Sequence, residues 1–327
     1  TEVERAVEEG VEIALTPETG AFEIEVRVGA SRWPGADVEM TPQGGAAAVT
    51  ESGAITTDEG GRREVVGLPV GRYELSTDPE LPGVETDAAV ESAVVEADST
   101  TAVTLPVEAS YSLSAEQRER RAELRERIDE LTALDGDTAI PRHYGAVLDA
   151  VLDLVGEVES APESAVERSL DPAATVDALL CATAEGQRVV ADAMADPRNV
   201  KLFRQAGSLP AVEERPRDDA DLEDFLDRAS EGVAEQRRAL RDRLAATDAF
   251  LNERWSDVAE SRPAREVHTR LQESIRARDG SDDLTTVARA YVGLRLLDAV
   301  EALFEVDALR RRLDPGGTDA DHAGAGE

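Results

Sequence analysis

Residues 51–77, ESGAITTDEGGRREVVGLPVGRYELST, decide how the first third of the chain folds. Val65, Leu68, Tyr73 and Leu75 alternate with polar neighbours, the pattern of strands with one buried face. Gly60-Gly61 falls in one turn, and Gly67 and Gly71 flank Leu68-Pro69-Val70. Glycine serves where the backbone takes positive φ, and proline presets a turn. The stretch therefore predicts short strands joined by tight connections.

Outward from it the same period continues. Val11, Ile13 and Leu15 alternate, Thr16–Gly20 turns, and Phe22, Ile24, Val26 and Val28 alternate again, predicting a hairpin with one buried face. Further strands are expected near 36–41, 46–50, 54–57, 62–67, 72–76, 88–96 and 100–107. Strands this short, separated by Gly, Pro and Asp, predict an antiparallel β-sandwich over residues 11–109. Residues 1–10 read as the tail of a helix. Tyr73 reads as core and Trp33 as a loop-packing residue.

Thr56, Thr57, Asp58, Gly60 or Gly61, Leu68, Pro69, Gly71, Tyr73 and Leu75 match a "TTDxxG … GLPxGxYxL" pattern. In this, Gly53 to Leu75 resembles the carboxypeptidase regulatory-like, or prealbumin-like, β-sandwich family. Trp33 to Met40 is similar to the strand entry of that family. The resemblance covers the first third of the chain and implies a spacer or interaction module. It carries over no catalytic residue.

Near Ser110 the period changes from two to that of helices. Ser114 and Gln117 form a capping-box pair, opening a helix through Leu134. That helix pairs Glu116 with Arg120 and Glu123 with Arg127 at i,i+4 spacing, so its arginines read as a solvated, salt-bridged face, with a phosphate-binding face as the alternative. Tyr144, Val147, Leu148, Val151, Leu152 and Val155 mark one face of an amphipathic helix after Pro141. Asp171-Pro172 caps the next, buried through Val176, Leu179, Leu180, Val189 and Val190. Residues 205–218 read as an exposed loop.

A single long helix is expected over 219–259. Leu222, Leu226, Ala229, Val233, Leu240, Leu244, Leu251, Trp255 and Val258 recur at close to 3.5 residues, which suits a coiled-coil-like contact. Packing within its own bundle is the preferred reading, and self-association the alternative. Pro263 opens another helix, and Ser281 or Asp282 starts the last, which ends in Arg310, Arg311 and Arg312 beside the helix C-terminus. Residues 314–327 hold too little apolar content to fold. The expected fold class is thus α+β in two domains: a sandwich at 11–109, then an all-α bundle at 112–313.

The 327 residues include 70 acids and 35 bases, a net charge of −35. Lys201 is the one lysine, and aromatics make up 3%. The chain looks like a haloarchaeal-type acidic protein, in which salt with a Debye length of about 3 Å at 1 M screens surface self-repulsion. Such acidity gives no support for a nucleic-acid partner. No apolar run approaches the about 20 residues that cross a bilayer. Starting at Thr1, the chain reads as a fragment or processed form. Asn199 and Asn252 lie outside N-x-S/T sites, favouring a cytoplasmic protein, with the cell envelope as the alternative.

Catalytic motifs are missing: there is no G-x-S-x-G, no phosphate-binding G-x-x-x-x-G-K-[ST] and no H-E-x-x-H. His143, His268 and His322 lie far apart and read as packing or surface residues. Cys181 reads as a small buried residue. The acidic run from Asp218 to Asp224, framed from Asp219, fails the calcium-loop pattern, with Asp224 at the glycine position and Ser230 at the final glutamate, and reads as a helix cap. No catalytic, metal or cofactor residue is assigned. The expected role is a non-enzymatic scaffold, adaptor or assembly component working through a protein partner. Two alternatives are a ligand-binding or sensor protein with a pocket at the sandwich–bundle junction, and a cell-envelope protein without its export signal.

Overall fold

The computed structural model describes residues 17–46, 52–132, 139–200, 220–255, 261–277 and 283–305. These form an α+β protein of two compact units, residues 1–81 with 85–109 and residues 82–84 with 110–327.

Nine strands build the first unit: β1 Thr19–Val28, β2 Ser31–Arg32, β3 Asp37–Gln43, β4 Gly53–Thr56, β5 Arg62–Pro69, β6 Gly71–Thr77, β7 Glu85–Asp87, β8 Ala89–Val95 and β9 Thr100–Ser110. The first sheet runs β2-β1-β9-β7, with β5 also paired to β1, and the second runs β4-β3-β6-β8. The strand expected at 88–96 begins only after Ala88, where the chain passes from the first sheet to the second. The purely antiparallel expectation needs one correction. β1 and β9 pair in parallel from Ala21↔Thr100 to Val28↔Val107.

Side-chain alternation works as period two demands. Phe22, Ile24, Val26, Val28, Leu105 and Val107 point inward from one sheet, and Val38, Met40, Tyr73, Leu75 and Val95 from the other. Phe22 meets Tyr73 edge to face at 5.6 Å, and the Tyr73 hydroxyl donates to the Pro69 carbonyl at 2.9 Å. Tyr73 is core, with its one polar atom satisfied. The Thr57 hydroxyl donates to the Trp33 carbonyl at 3.1 Å and accepts from the Ala36 amide at 2.9 Å. Asp58 Oδ1 accepts from the Gly60 and Arg62 amides at 2.8 and 3.0 Å, closing the turn before β5. In β5, Gly67 is the extra residue of a bulge against Gly20/Ala21, at φ 74°.

On the outer face of β1, Glu25 is covered by three arginines. Arg27 contacts it directly, and Arg32 Nε and Arg62 Nε reach its Oε2 at 2.8 and 2.9 Å. The Arg27 hydrogen bond is the largest influence, and together the arginines outweigh burial and lower the carboxyl pKa from 4.5 to about 2. A depressed carboxyl stabilises the fold fully above pH 4.5, and that contribution is lost as pH falls toward 2. Because the arginine side chains are 40–44% exposed, Glu25→Gln is expected to cost only about 1 kcal/mol at neutral pH. It should also flatten the acid limb of stability below pH 4.5, measured by urea unfolding at stepped pH. An unchanged limb would remove this cluster as a contributor.

The second unit holds α1 Ala115–Thr132, α2 Ala139–Ser160, α3 Glu163–Glu167, α4 Pro172–Met194, α5 Leu222–Glu231, α6 Val233–Trp255, α7 Ser261–Ala277 and α8 Leu284–Glu305. Helices α2, α4 and α8 pack on one another, α1 flanks α2 and α4, and α6 and α7 flank the α4/α8 side. The capping box forms reciprocally: the Gln117 amide donates to Ser114 Oγ at 3.1 Å and the Ser114 amide to Gln117 Oε1 at 2.9 Å. Asp171 Oδ1 accepts from the Ala173 and Ala174 amides and caps α4, and Asp221 caps α5. The last helix is capped by Asp283, whose Oδ1 accepts from the Thr286 amide at 2.8 Å. The cap thus lies two residues beyond the expected Ser281 or one beyond Asp282.

The helix expected as one piece over 219–259 divides at Gly232, which stands at φ 93° between α5 and α6. Its stripe is covered inside the unit as far as Leu251, with Ala229 and Val233 partly buried, while the Trp255 side chain and Val258 lie outside the described residues. Leu222, Leu226, Leu240, Leu244 and Leu251 are buried in the helical core, where Phe225 meets Tyr291 edge to face at 5.4 Å. Self-association through that stripe would have to displace the chain's own packing. The strand segment 11–15, most of the strand at 46–50, the loop 205–218, Arg310–Arg312 and residues 314–327 lie outside the described residues.

Candidate functional site

Among the described residues no group of three or more His, Cys, Asp or Glu is placed to hold a metal ion. No described helix is long and apolar enough to cross a membrane. His143 and His268 are both buried on helices. His268 Nε2 lies 2.8 Å from the Leu244 carbonyl, so that ring nitrogen is already engaged. His322 lies outside the described residues. Cys181 is half-buried rather than fully buried, with Arg289 Nη2 at 3.7 Å from its sulfur.

Among the described residues two places stand out as able to meet another molecule. The first is the edge strand β8, AVESAVV, which has β6 as its one described neighbour. Val90 and Val94 are 55% and 44% exposed, and with Ser92 they line the outer face opposite Ser76, Arg72 and Glu74. The Val94 carbonyl accepts from the Thr101 hydroxyl at 3.0 Å, which directs it off the β6 ladder. By the period of two, the amides and carbonyls of Val90 and Ser92 face the same open side. Edge strands are ordinarily protected by brevity, charge or proline. β4 is only four residues long, and β5 carries Arg62, Arg63, Glu64 and Pro69. β8 has the single charge of Glu91, and no proline.

The second place is on the helical unit, where α1, α4 and α8 meet. A cleft of about 350 Å³ is lined by Arg120 and Arg127 of α1, Cys181, Glu185 and Arg188 of α4, and Arg289 of α8. Arg289 Nε is held 2.8 Å from Glu185 Oε2, and the other oxygen of Glu185 accepts from the Ser274 hydroxyl. Behind that pair a smaller cavity of about 60 Å³ lies between α4, α6, α7 and α8, walled by Val189, Leu240, Leu271 and Val292.

The salt-bridged reading of α1 holds for part of its arginines. Arg127 reaches Glu123 at 3.5 Å, and Arg125 reaches Asp149 of α2 at 3.3 Å. The expected Glu116–Arg120 pair does not form, and Arg120 has no ion pair among the described residues. The cleft was missed in the sequence because its residues come from three helices, with Arg120 and Arg289 169 positions apart. No local spacing marks such a site.

No family model and no curated protein matches the chain, so the prealbumin-like resemblance stands on its own residues. Three similar solved structures are the TIE protein of Bacillus anthracis, the minor pilin GBS52 of Streptococcus agalactiae and the shaft pilin SpaA of Lactobacillus rhamnosus GG. Their identities are 21%, 17% and 12% over 28%, 31% and 29% of this chain, at TM-scores of 0.25, 0.25 and 0.22. The chain covers 17%, 49% and 52% of their respective lengths. Likenesses this partial carry no functional argument.

Proposed function

We propose that the protein is a non-enzymatic adaptor or assembly component that works by protein contact, with β8 as its docking strand. The observation that supports this reading is the β8 edge, which among the described residues has no strand beyond it and carries two exposed valines. An extended partner segment with apolar residues at alternate positions would add to the sheet, its main chain bonding at Val90 and Ser92. Its side chains would cover the valines, whose exposure is otherwise a cost in water.

The test is affinity purification of the tagged chain from cells of its source in molar KCl, followed by mass spectrometry. A stoichiometric protein partner is expected with the parent chain. It should be lost with the double variant Val90→Lys, Val94→Lys, whose thermal midpoint should stay unchanged because both side chains point outward. Recovery of the chain alone, or equal capture by the variant, would overturn the reading.

A further inference from the structure

The cleft between α1, α4 and α8 has a charge opposite to that of the molecule. The chain carries two acids for every base, 70 to 35, yet among the described residues four arginines and one carboxylate line this cleft, and counting the Glu123 and Asp192 partners of Arg127 and Arg188 still leaves +1 (4 − 3). From these observations we infer that the cleft is a binding site for a small polyanion of the phosphate or pyrophosphate class.

The state of each arginine carries the inference. Arg120 has no ion pair among the described residues, so its guanidinium has no carboxylate to give up. Arg127 and Arg188 are paired only along their own helices, with Glu123 at 3.5 Å and Asp192 at 3.4 Å. Exposed i,i+4 pairs of this kind are worth a few tenths of a kcal/mol, so an incoming dianion displaces them readily. Arg289 is different. Glu185 holds its Nε at 2.8 Å, while Nη2 lies beside Cys181, which lines the cleft. Glu185 thus pairs with Arg289 at Nε and Cys181 accepts from its Nη2, which fixes the guanidinium charge at the wall of the cleft. A volume of about 350 Å³ is enough for a small ligand. Self-repulsion in a chain of charge −35 would otherwise expel an anion, so a site that attracts one needs this local excess.

The site lies on a different unit from β8, so the two readings succeed or fail separately. The experiment is isothermal titration of the full chain with inorganic pyrophosphate and with orthophosphate, in a fixed background of KCl. Saturable binding of one ion per chain is expected, weakened at least about tenfold by Arg120→Gln and again by Arg188→Gln. Arg188 is exposed and Arg120 half-buried, and thermal midpoints should confirm that the variants fold. Arg238→Gln, a surface change on α6 outside the cleft, should leave binding unchanged. Heat that does not saturate, or an equal loss in the Arg238 variant, would show nonspecific screening and overturn the assignment. Binding undiminished by Arg120→Gln and Arg188→Gln together would overturn it as well.

Discussion

A Gly20→Ala chain is expected to lose most of the protection of its first unit. A Cβ built on Gly20 would overlap the Glu96 carbonyl oxygen and stand 2.9 Å from that of Ser99. Both atoms are backbone, so no side chain can turn aside. The turn between β8 and β9 would have to lift, and two hydrogen bonds hold it down: Asp98 amide to Thr19 carbonyl at 3.0 Å, and Ala21 amide to Ser99 carbonyl at 2.8 Å. Losing both costs about 2 kcal/mol, and disturbing buried Val95 beside them adds at least about 1 kcal/mol more. Amide exchange across β1 and β9 should therefore speed up by about a hundredfold. Unchanged exchange would show that the turn shifts without resistance.

The second large effect is acid destabilisation of the helical unit through His143. This ring is buried on α2, and desolvation lowers its pKa from 6.5 to about 4, against the opposing pull of a hydrogen bond with the Ala299 backbone. The unfolded chain binds a proton below 6.5 that the folded unit refuses until about 4. Stability from this group is therefore complete above pH 6.5 and is lost as pH falls toward 4. Between pH 7 and pH 5 the loss amounts to about 2 kcal/mol. His143→Gln should remove that slope from denaturant unfolding followed by the far-ultraviolet helical signal. In the parent chain, the His143 ring resonance should titrate near pH 4. A midpoint near 6.5 would refute the assignment.

How far the fold could be read from the sequence depended on how local its causes are. The run from Phe22 to Val28, and the Tyr73–Leu75 pair, announced their buried face because strand period acts on nearest neighbours. The Ser114–Gln117 box and the Asp171-Pro172 cap were equally legible, since each closes within three residues. The parallel β1–β9 ladder was not, because about 80 residues separate its partners and nothing in either strand names the other. The break at Gly232 was hidden for another reason. Ala229 and Val233 keep helical spacing across it, so the apolar pattern shows no gap although the backbone turns to positive φ. The β8 edge was legible as a strand but not as an edge, and of the arginine cleft only the α1 arginines could be read as a phosphate-binding face, an alternative set aside for their interleaved glutamates.

The parallel ladder also bears on how the first unit would carry a pulling load. β1 enters the sheet at Thr19 and β9 leaves it at Ser110, running side by side in the same direction through eight registered pairs. Tension between the chain before Thr19 and the chain after Ser110 drags these two strands lengthwise past each other. The pairs then share the load in shear and must fail together, whereas an antiparallel hairpin pulled at its open end peels apart one rung at a time. Pulled in that direction, the two strands would hold as a clasp does.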